Sequence, residues 1–148
     1  RKPQIALAKK LKLTNYPTPA GGCLLTDPGF AKRVKTLYQE TTIPTATDLN
    51  LLKYGRFYPL AEASSFVIVG RHRDDNQQLL KTADHNYFTL HLAEMAGPVA
   101  ILKGEKKHIP FAARKLCQHS KAKNLSSVKV NWRQGSESGN LTVEKYDN

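Results

Sequence analysis

A thiol follows two glycines in the stretch Gly21-Gly22-Cys23, a short distance ahead of the cations Lys32, Arg33 and Lys35. A reactive thiol acts as its thiolate, and nearby cations or a helix N-terminus favour that form. The glycines leave room for a bulky substrate to approach. In the competing reading Cys23 packs as a small apolar residue beside Leu24 and Leu25, as most free cysteines do. The second cysteine, Cys117, lies on the apolar side of "AARKLCQH" and reads as core. Histidines 72, 85, 91, 108 and 119 have no metal-ligand spacing, and no C-x-x-C pair occurs, so no metal site is expected. With neither a Ser-Gly-Gly-x-Asp-type pyrophosphatase loop nor a Walker motif, the sequence is expected to bind rather than catalyse.

What it binds is suggested by charge. The 148 residues carry a formal charge of +11, and the pI is about 9.8. Residues 1–38 hold 8 Lys/Arg against 1 acid, residues 39–105 hold 6 against 8, and residues 106–148 hold 9 against 3, so the base sits at both ends. Such a chain suits a polyanion, because phosphate contacts release counterions without requiring any particular base sequence. The alternative is that lysine-rich faces only maintain solubility. No apolar run approaches membrane-span length and the N-terminus lacks an apolar secretory core, which fits a soluble, cytoplasmic protein. The start at Arg1 rather than Met is expected of a piece of a larger protein.

Several elements must position these groups. Residues 3–12, "PQIALAKKLK", predict a short amphipathic helix with Ile5, Ala8 and Leu11 on one face. Pro17 and Pro19 hold "YPTP" extended, and Gly21 and Gly22 permit a turn. Asp27 as N-cap and Pro28 at the first position open a helix with Phe30, Val34 and Leu37 inward. The threonine-rich residues 39–52 read as a linker. Beyond it, "KYGRFYPL" and "SSFVIVGR" predict paired strands, "RDDNQQLLKTA" a helix, and "NYFTLHLAE" and "PVAILKG" further strands. A second helix, "IPFAARKLCQHS", precedes a hairpin of "SVKVNWRQ" and "NLTVEKY" around "GSESG". Strands and helices mingle without βαβ periodicity, so the expected class is α+β with a largely antiparallel sheet, two packed helices and a short helical N-terminal segment. Alternation puts Phe88, Leu90 and Leu92 on one strand face and Tyr87, Thr89 and His91 on the other. In the hairpin, Val128, Val130 and Trp132 alternate with Lys129, Asn131 and Arg133. The second face is either an RNA-binding surface, which pairs cations with flat groups, or an ordinary solvated face.

Three segments together resemble the RNA-binding domain of the NFACT proteins. "VGRHRDDNQQLL" (69–80) looks like that family's Gly-Arg-Asn stretch, "LHLAEMAGPVAIL" (90–102) matches at His91 and Gly97, and "IPFAARKLCQHSKAK" (109–123) is similar to its Ala-Ala helix ending in Ser-x-Ala-Lys, here Ser120, Ala122 and Lys123. Where the family commonly has a Trp and a second His, this chain has Thr89 and Val99. "IALAKKLKLTNYPTPAGGCLLTDPGFAKRVKTL" resembles instead a segment of bacterial tRNA 2-thiouridylases, whose glycine-flanked cysteine receives sulfur as a persulfide and delivers it to a uridine activated by ATP. The pattern departs at Pro-x-Pro and Asp-Pro-Gly. The two resemblances imply residues 1–38 as the end of a thiouridylase-like catalytic region, with Cys23 as sulfur carrier, and residues 53–148 as an RNA-binding domain. They imply tRNA as partner, a sulfur-carrier protein as a second, and ATP used by an N-terminal domain outside this chain.

Candidates for phosphate contact are Arg71, Arg73, Lys121, Lys123, Lys129 and Arg133, with Tyr87 and His91 for bases. A non-catalytic alternative is a basic module docking on an acidic ribosomal or sulfur-carrier protein.

Overall fold

The computed structural model describes residues 2–13, 23–38, 43–62 and 64–144. The turn expected at Pro17, Pro19, Gly21 and Gly22 lies outside these. The chain divides into two units, Arg1–Lys32 and Arg33–Asn148.

In the first unit, α1 (Lys2–Lys10) ends where Lys12 takes a left-handed φ of 54°. Of the three residues placed on one helical face, Ala8 is buried while Ile5 and Leu11 are exposed, Leu11 lying one residue beyond the helix. A 3-10 turn (Leu24–Thr26) leads to α2 (Pro28–Tyr38), which continues into the second unit. Asp27 caps α2 as expected, its carboxylate accepting from the Phe30 N–H at 2.7 Å. Phe30 and Val34 are half-buried and Leu37 is buried.

The second unit holds α3 (Ala46–Leu51), α4 (Arg73–Thr82), α5 (Ile109–Gln118) and a six-stranded sheet. The strands are β1 (Arg56–Pro59), β2 (Phe66–Val69), β3 (Phe88–Leu92), β4 (Ala100–Lys103), β5 (Ser127–Gln134) and β6 (Glu137–Glu144). Their order is β1-β2-β4-β3-β5-β6 and every pairing is antiparallel, so the α+β expectation holds. The linker reading of residues 39–52 needs correction, because Ala46–Leu51 is helical. Thr45 and Asp48 form a reciprocal capping box, Thr45 Oγ1 accepting from the Asp48 N–H and Asp48 accepting from the Thr45 N–H. Threonine and aspartate, which suggest irregular chain, are also helix-start residues. The last hairpin turns on Gly135-Ser136 alone, with Gly135 at φ 54°, so Glu137 to Gly139 belong to β6 rather than to a five-residue loop.

Period-two alternation sorts the sheet into two faces. Val67, Val69, Phe88, Leu90, Leu92, Ala100, Leu102, Val128, Val130 and Trp132 pack with α5 through Ile109, Ala112, Ala113, Leu116 and Cys117. Small residues at 112 and 113 let the helix lie close on the strands, and each large side chain buried there contributes about 2 kcal/mol. The opposite face carries Phe66, Ile68 and Ile101, fully buried on the side of α3, whose Leu51 is also fully buried. Asp48 of α3 fixes that helix there by accepting from Lys103 Nζ at 2.6 Å and from the Tyr87 hydroxyl at 2.9 Å.

Candidate nucleic-acid interface

Beyond β4 the same face lies open. Thr89 is half-buried and His91 exposed on β3, Lys129 and Arg133 are exposed on β5 with Asn131 half-buried between them, and Ser138, Asn140 and Thr142 are exposed on β6. Register aligns these into cross-strand rows: His91 with Asn131 and Asn140, Thr89 with Arg133 and Ser138, and Lys129 with Thr142. Strands lie about 4.8 Å apart, so the two three-strand rows each span roughly 10 Å of cationic, hydroxyl and amide groups. The sequence reading found His91, Lys129 and Arg133 by alternation, and the structure brings them onto one face. The same alternation placed Thr89 and Asn131 there, but not Ser138, Asn140 and Thr142 of β6, which join the surface only through pairing.

One end of the sheet adds to this strip. β2, β3 and β6 finish there, and β1, β4 and β5 begin there. Gly70 follows β2, and its amide N–H donates to Val99 O at 2.9 Å. Asn76 on α4 ties the same loops together, accepting from the Val99 N–H at 3.0 Å and donating to Gly97 O at 3.4 Å. A Cβ on Gly70 would stand 2.0 Å from Asn76 Oδ1, which is why a glycine precedes Arg71. Gly97 packs against Leu92, and Ser120 lies nearby, so the glycine loop, α4 and the turn after α5 converge at this end. Lys121 and Lys123 sit exposed on the 3-10 turn Lys121–Asn124. Ser120 and Ala122 of the Ser-x-Ala-Lys run are buried, the serine hydroxyl accepting from the Ala122 N–H and donating to Cys117 O. The motif is therefore half cap and half display: two residues hold the turn so that two lysines project.

Arg71 and Arg73 also lie at this end, in different circumstances. Arg73 is exposed in the first turn of α4. Arg71 is tied to buried Asp75, with Nε to Oδ2 at 2.7 Å and the second guanidinium arm at 3.3 Å. Asp75 also accepts from the Gly55 and Arg71 amides. Burial pushes this carboxyl up, but these donors outweigh it and hold its pKa at about 2. The Arg71 side chain remains 43% exposed, enough for an outer guanidinium edge to meet solvent or a phosphate.

Tyr87 is the candidate that the structure removes. It is buried, its hydroxyl bonded to Asp48, and no ring face is presented to a base. Burial, with the Asp48 charge beside it, pushes its pKa up, while Lys103, Thr45 and Tyr87 hold Asp48 low against its own burial. Alternation placed Tyr87 beside His91 correctly; what it missed is that α3 covers that end of the face. Cys23 is exposed at the start of the 3-10 turn, its carbonyl accepting from the Thr26 N–H and hydroxyl, both at 2.8 Å, and its thiol makes no capping bond. Cys117 is buried as expected, and burial pushes its thiol pKa up. Among the described residues no group of three His, Cys, Asp or Glu side chains could hold a metal ion, and no helix is long and apolar enough to cross a membrane.

A sheet with one face sealed by a helix and the other open in part, edged by displayed cations, has the anatomy of a nucleic-acid-binding α+β domain. Residues 55–148 match the NFACT protein RNA binding domain, and the chain belongs to that family of RNA-binding domains. Among solved structures it is similar to the C-terminal part of the fibronectin/fibrinogen-binding protein from Streptococcus suis, at 12% identity and a TM-score of 0.51, over 99% of this chain and 69% of that one. At that identity the likeness concerns the fold. No curated protein matches the chain.

Proposed function

We propose that the chain binds tRNA, with the open half of the sheet and the cation-rich end holding the backbone and His91 meeting a base. The observation that carries this reading is the run of exposed Lys121, Lys123, Lys129 and Arg133, none within ion-pair distance of a carboxylate among the described residues. Such cations keep their counterions until a polyanion releases them. The test is binding of tRNA and of a duplex DNA of matched charge across a salt series. Tight binding that prefers tRNA, with a steep salt slope, supports the reading; weak or equal binding overturns it.

The same proposal extends to the first unit. The resemblance of residues 5–37 to a thiouridylase segment, together with the exposure of Cys23, supports a cytoplasmic tRNA sulfur-transfer enzyme in which Cys23 carries sulfur as a persulfide. A sulfur-carrier protein bearing a persulfide would load it, the Cys23 thiolate taking the outer sulfur as the carrier's own thiolate leaves. Activation of the uridine by ATP would belong to another domain of such an enzyme. Replacing Cys23 with Ser in the full protein is expected to abolish tRNA thiolation while tRNA affinity is retained; thiolation surviving the change would limit the proposal to binding.

A further inference from the structure

A second group of cations gathers on the α5 side of the sheet, where edge strand β1 meets the end of that helix. Arg56 and Tyr58 are two residues apart on β1 and so share a face. Tyr58 packs against the core beneath α5. On α5, Lys115 and His119 are four residues apart and so lie one above the other. The Tyr58 hydroxyl hydrogen-bonds His119 Nε2, and the two rings stack with centroids 6.0 Å apart and planes at 24°. Lys115 Nζ stands 5.0 Å from the Tyr58 ring centroid and 5.4 Å from that of Phe111. It also donates to Gln118 Oε1 at 3.3 Å. Among the described residues no carboxylate is in ion-pair distance of Arg56, Lys115 or His119. The chain then runs directly into Lys121 and Lys123.

Cations held around an aromatic ring without an acid form a receptor for an anion. We propose that Arg56, Tyr58, Lys115 and His119 form a phosphate-binding site for an RNA backbone, separate from the open sheet face, at which His119 takes up a proton as the phosphate docks. The proposal rests on the RNA-binding reading above and adds a second contact region to it.

The hydrogen bond supplies the device. With neutral His119, the Tyr58 hydroxyl donates to Nε2. With protonated His119, Nε2–H donates to the Tyr58 oxygen, and the hydroxyl hydrogen is free to turn toward a phosphate oxygen. The groups set against His119 are Tyr58 and Arg56 from β1 and Lys115 from its own helix, and Lys121 and Lys123 follow two and four residues on in the chain. Burial first, then the charges of Arg56 and Lys115, push its pKa down in the absence of an anion. A docked phosphate offsets those charges and restores the proton. The bound state therefore has the higher pKa, so affinity gains on acidification and the gain is lost as pH rises through the bound value.

The experiment measures RNA affinity of the full chain between about pH 8 and about pH 6, one unit of pKa shift corresponding to about tenfold in affinity. It also follows the His119 imidazole by NMR titration, alone, with RNA and with inorganic phosphate. The expected result is a several-fold rise in affinity on acidification, flattened in His119→Gln, with the His119 titration moved upward by RNA. Lys115→Ala is expected to weaken binding at both pH values. An identical pH dependence in His119→Gln, or a His119 titration that RNA does not move, overturns the proposal, the second outcome also where inorganic phosphate alone moves it. If the chain binds no RNA, the function proposed above fails as well. In that case a shift with inorganic phosphate leaves an anion site for a free phosphate, and no shift removes the site altogether.

Discussion

The two ends of the sheet spend their cations differently. At the end where β4 finishes and α5 begins, Lys106 pairs with Glu137 and Lys107 with Glu62 and Glu105, and His108 Nε2 lies 3.2 Å from Glu62. Lys106 also lies 4.9 Å from the Trp132 ring centroid. These charges are satisfied within the protein. At the opposite end Arg56, Arg73, Lys115, Lys121 and Lys123 have no acid within ion-pair distance among the described residues, while Arg71 is paired with Asp75. Net charge alone does not distinguish these ends, since both are rich in base. At the first a polyanion must compete with glutamates already paired to the lysines, whereas at the second these cations are held in no ion pair among the described residues.

The largest effect is expected where the open end is assembled. Asp75→Ala leaves the Gly55 and Arg71 amides without their acceptor in a buried position and removes the partner of Arg71; the expected loss is about 3 kcal/mol in urea denaturation. The carboxyl is depressed to about 2, so its contribution is complete above the ordinary aspartate range and is lost as pH falls through about 2. Asp75→Asn should accordingly flatten the acid limb of the stability profile. An acid limb identical to that of the unaltered protein would show that Asp75 does not organise this end. Next is Asn76→Ala, which loses the bonds to Val99 and Gly97 and leaves a void against Gly70. About 2 kcal/mol is expected by the same assay, and amide exchange should quicken in residues 93–99 rather than at the paired end.

Much of this arrangement was legible in the sequence. Short apolar or alternating runs located all six strands, β2 and β4 as apolar runs because both of their faces are buried. In β3, burial on one face imposes the period that sorts Phe88, Leu90 and Leu92 from Thr89 and His91. The Asp27-Pro28 helix start was readable for the same reason: a local rule met no tertiary competition. The misses lie where distant segments meet. Tyr87 looked available until α3, itself hidden in a threonine-rich stretch, covered it. Nothing in the sequence singles out Asp48 or Asp75, and only the fold turns them into buried acceptors. The site around Tyr58 joins residues 61 positions apart; its one sequence signal, Lys115 and His119 at helical spacing, is too common to single out.

Binding tests the comparison more directly than stability does. Changing Lys121 and Lys123 together to Ala is expected to lower RNA affinity on the order of tenfold at moderate salt and reduce the slope of log affinity against log salt by about two. Both side chains are exposed on a turn held by buried Ser120 and Ala122, so the fold should be unaffected. An unchanged slope would take the turn out of the interface and leave the sheet face as the main contact.

The smallest effect is expected from the matching change at the paired end, Lys106 and Lys107 both to Ala. Exposed ion pairs contribute little, because Coulomb attraction in water is offset by the entropy of fixing two long side chains. The denaturation midpoint should stay within experimental error. The RNA result is the informative one. If these lysines are neutralised by Glu62, Glu105 and Glu137, removing them releases no counterions on binding, and the salt slope should match that of the unaltered protein. A slope reduced as much as by the Lys121/Lys123 change would mean that RNA displaces the glutamates. The two ends would then be equivalent as electrostatic surfaces, and pairing within the protein would not be what selects the binding end.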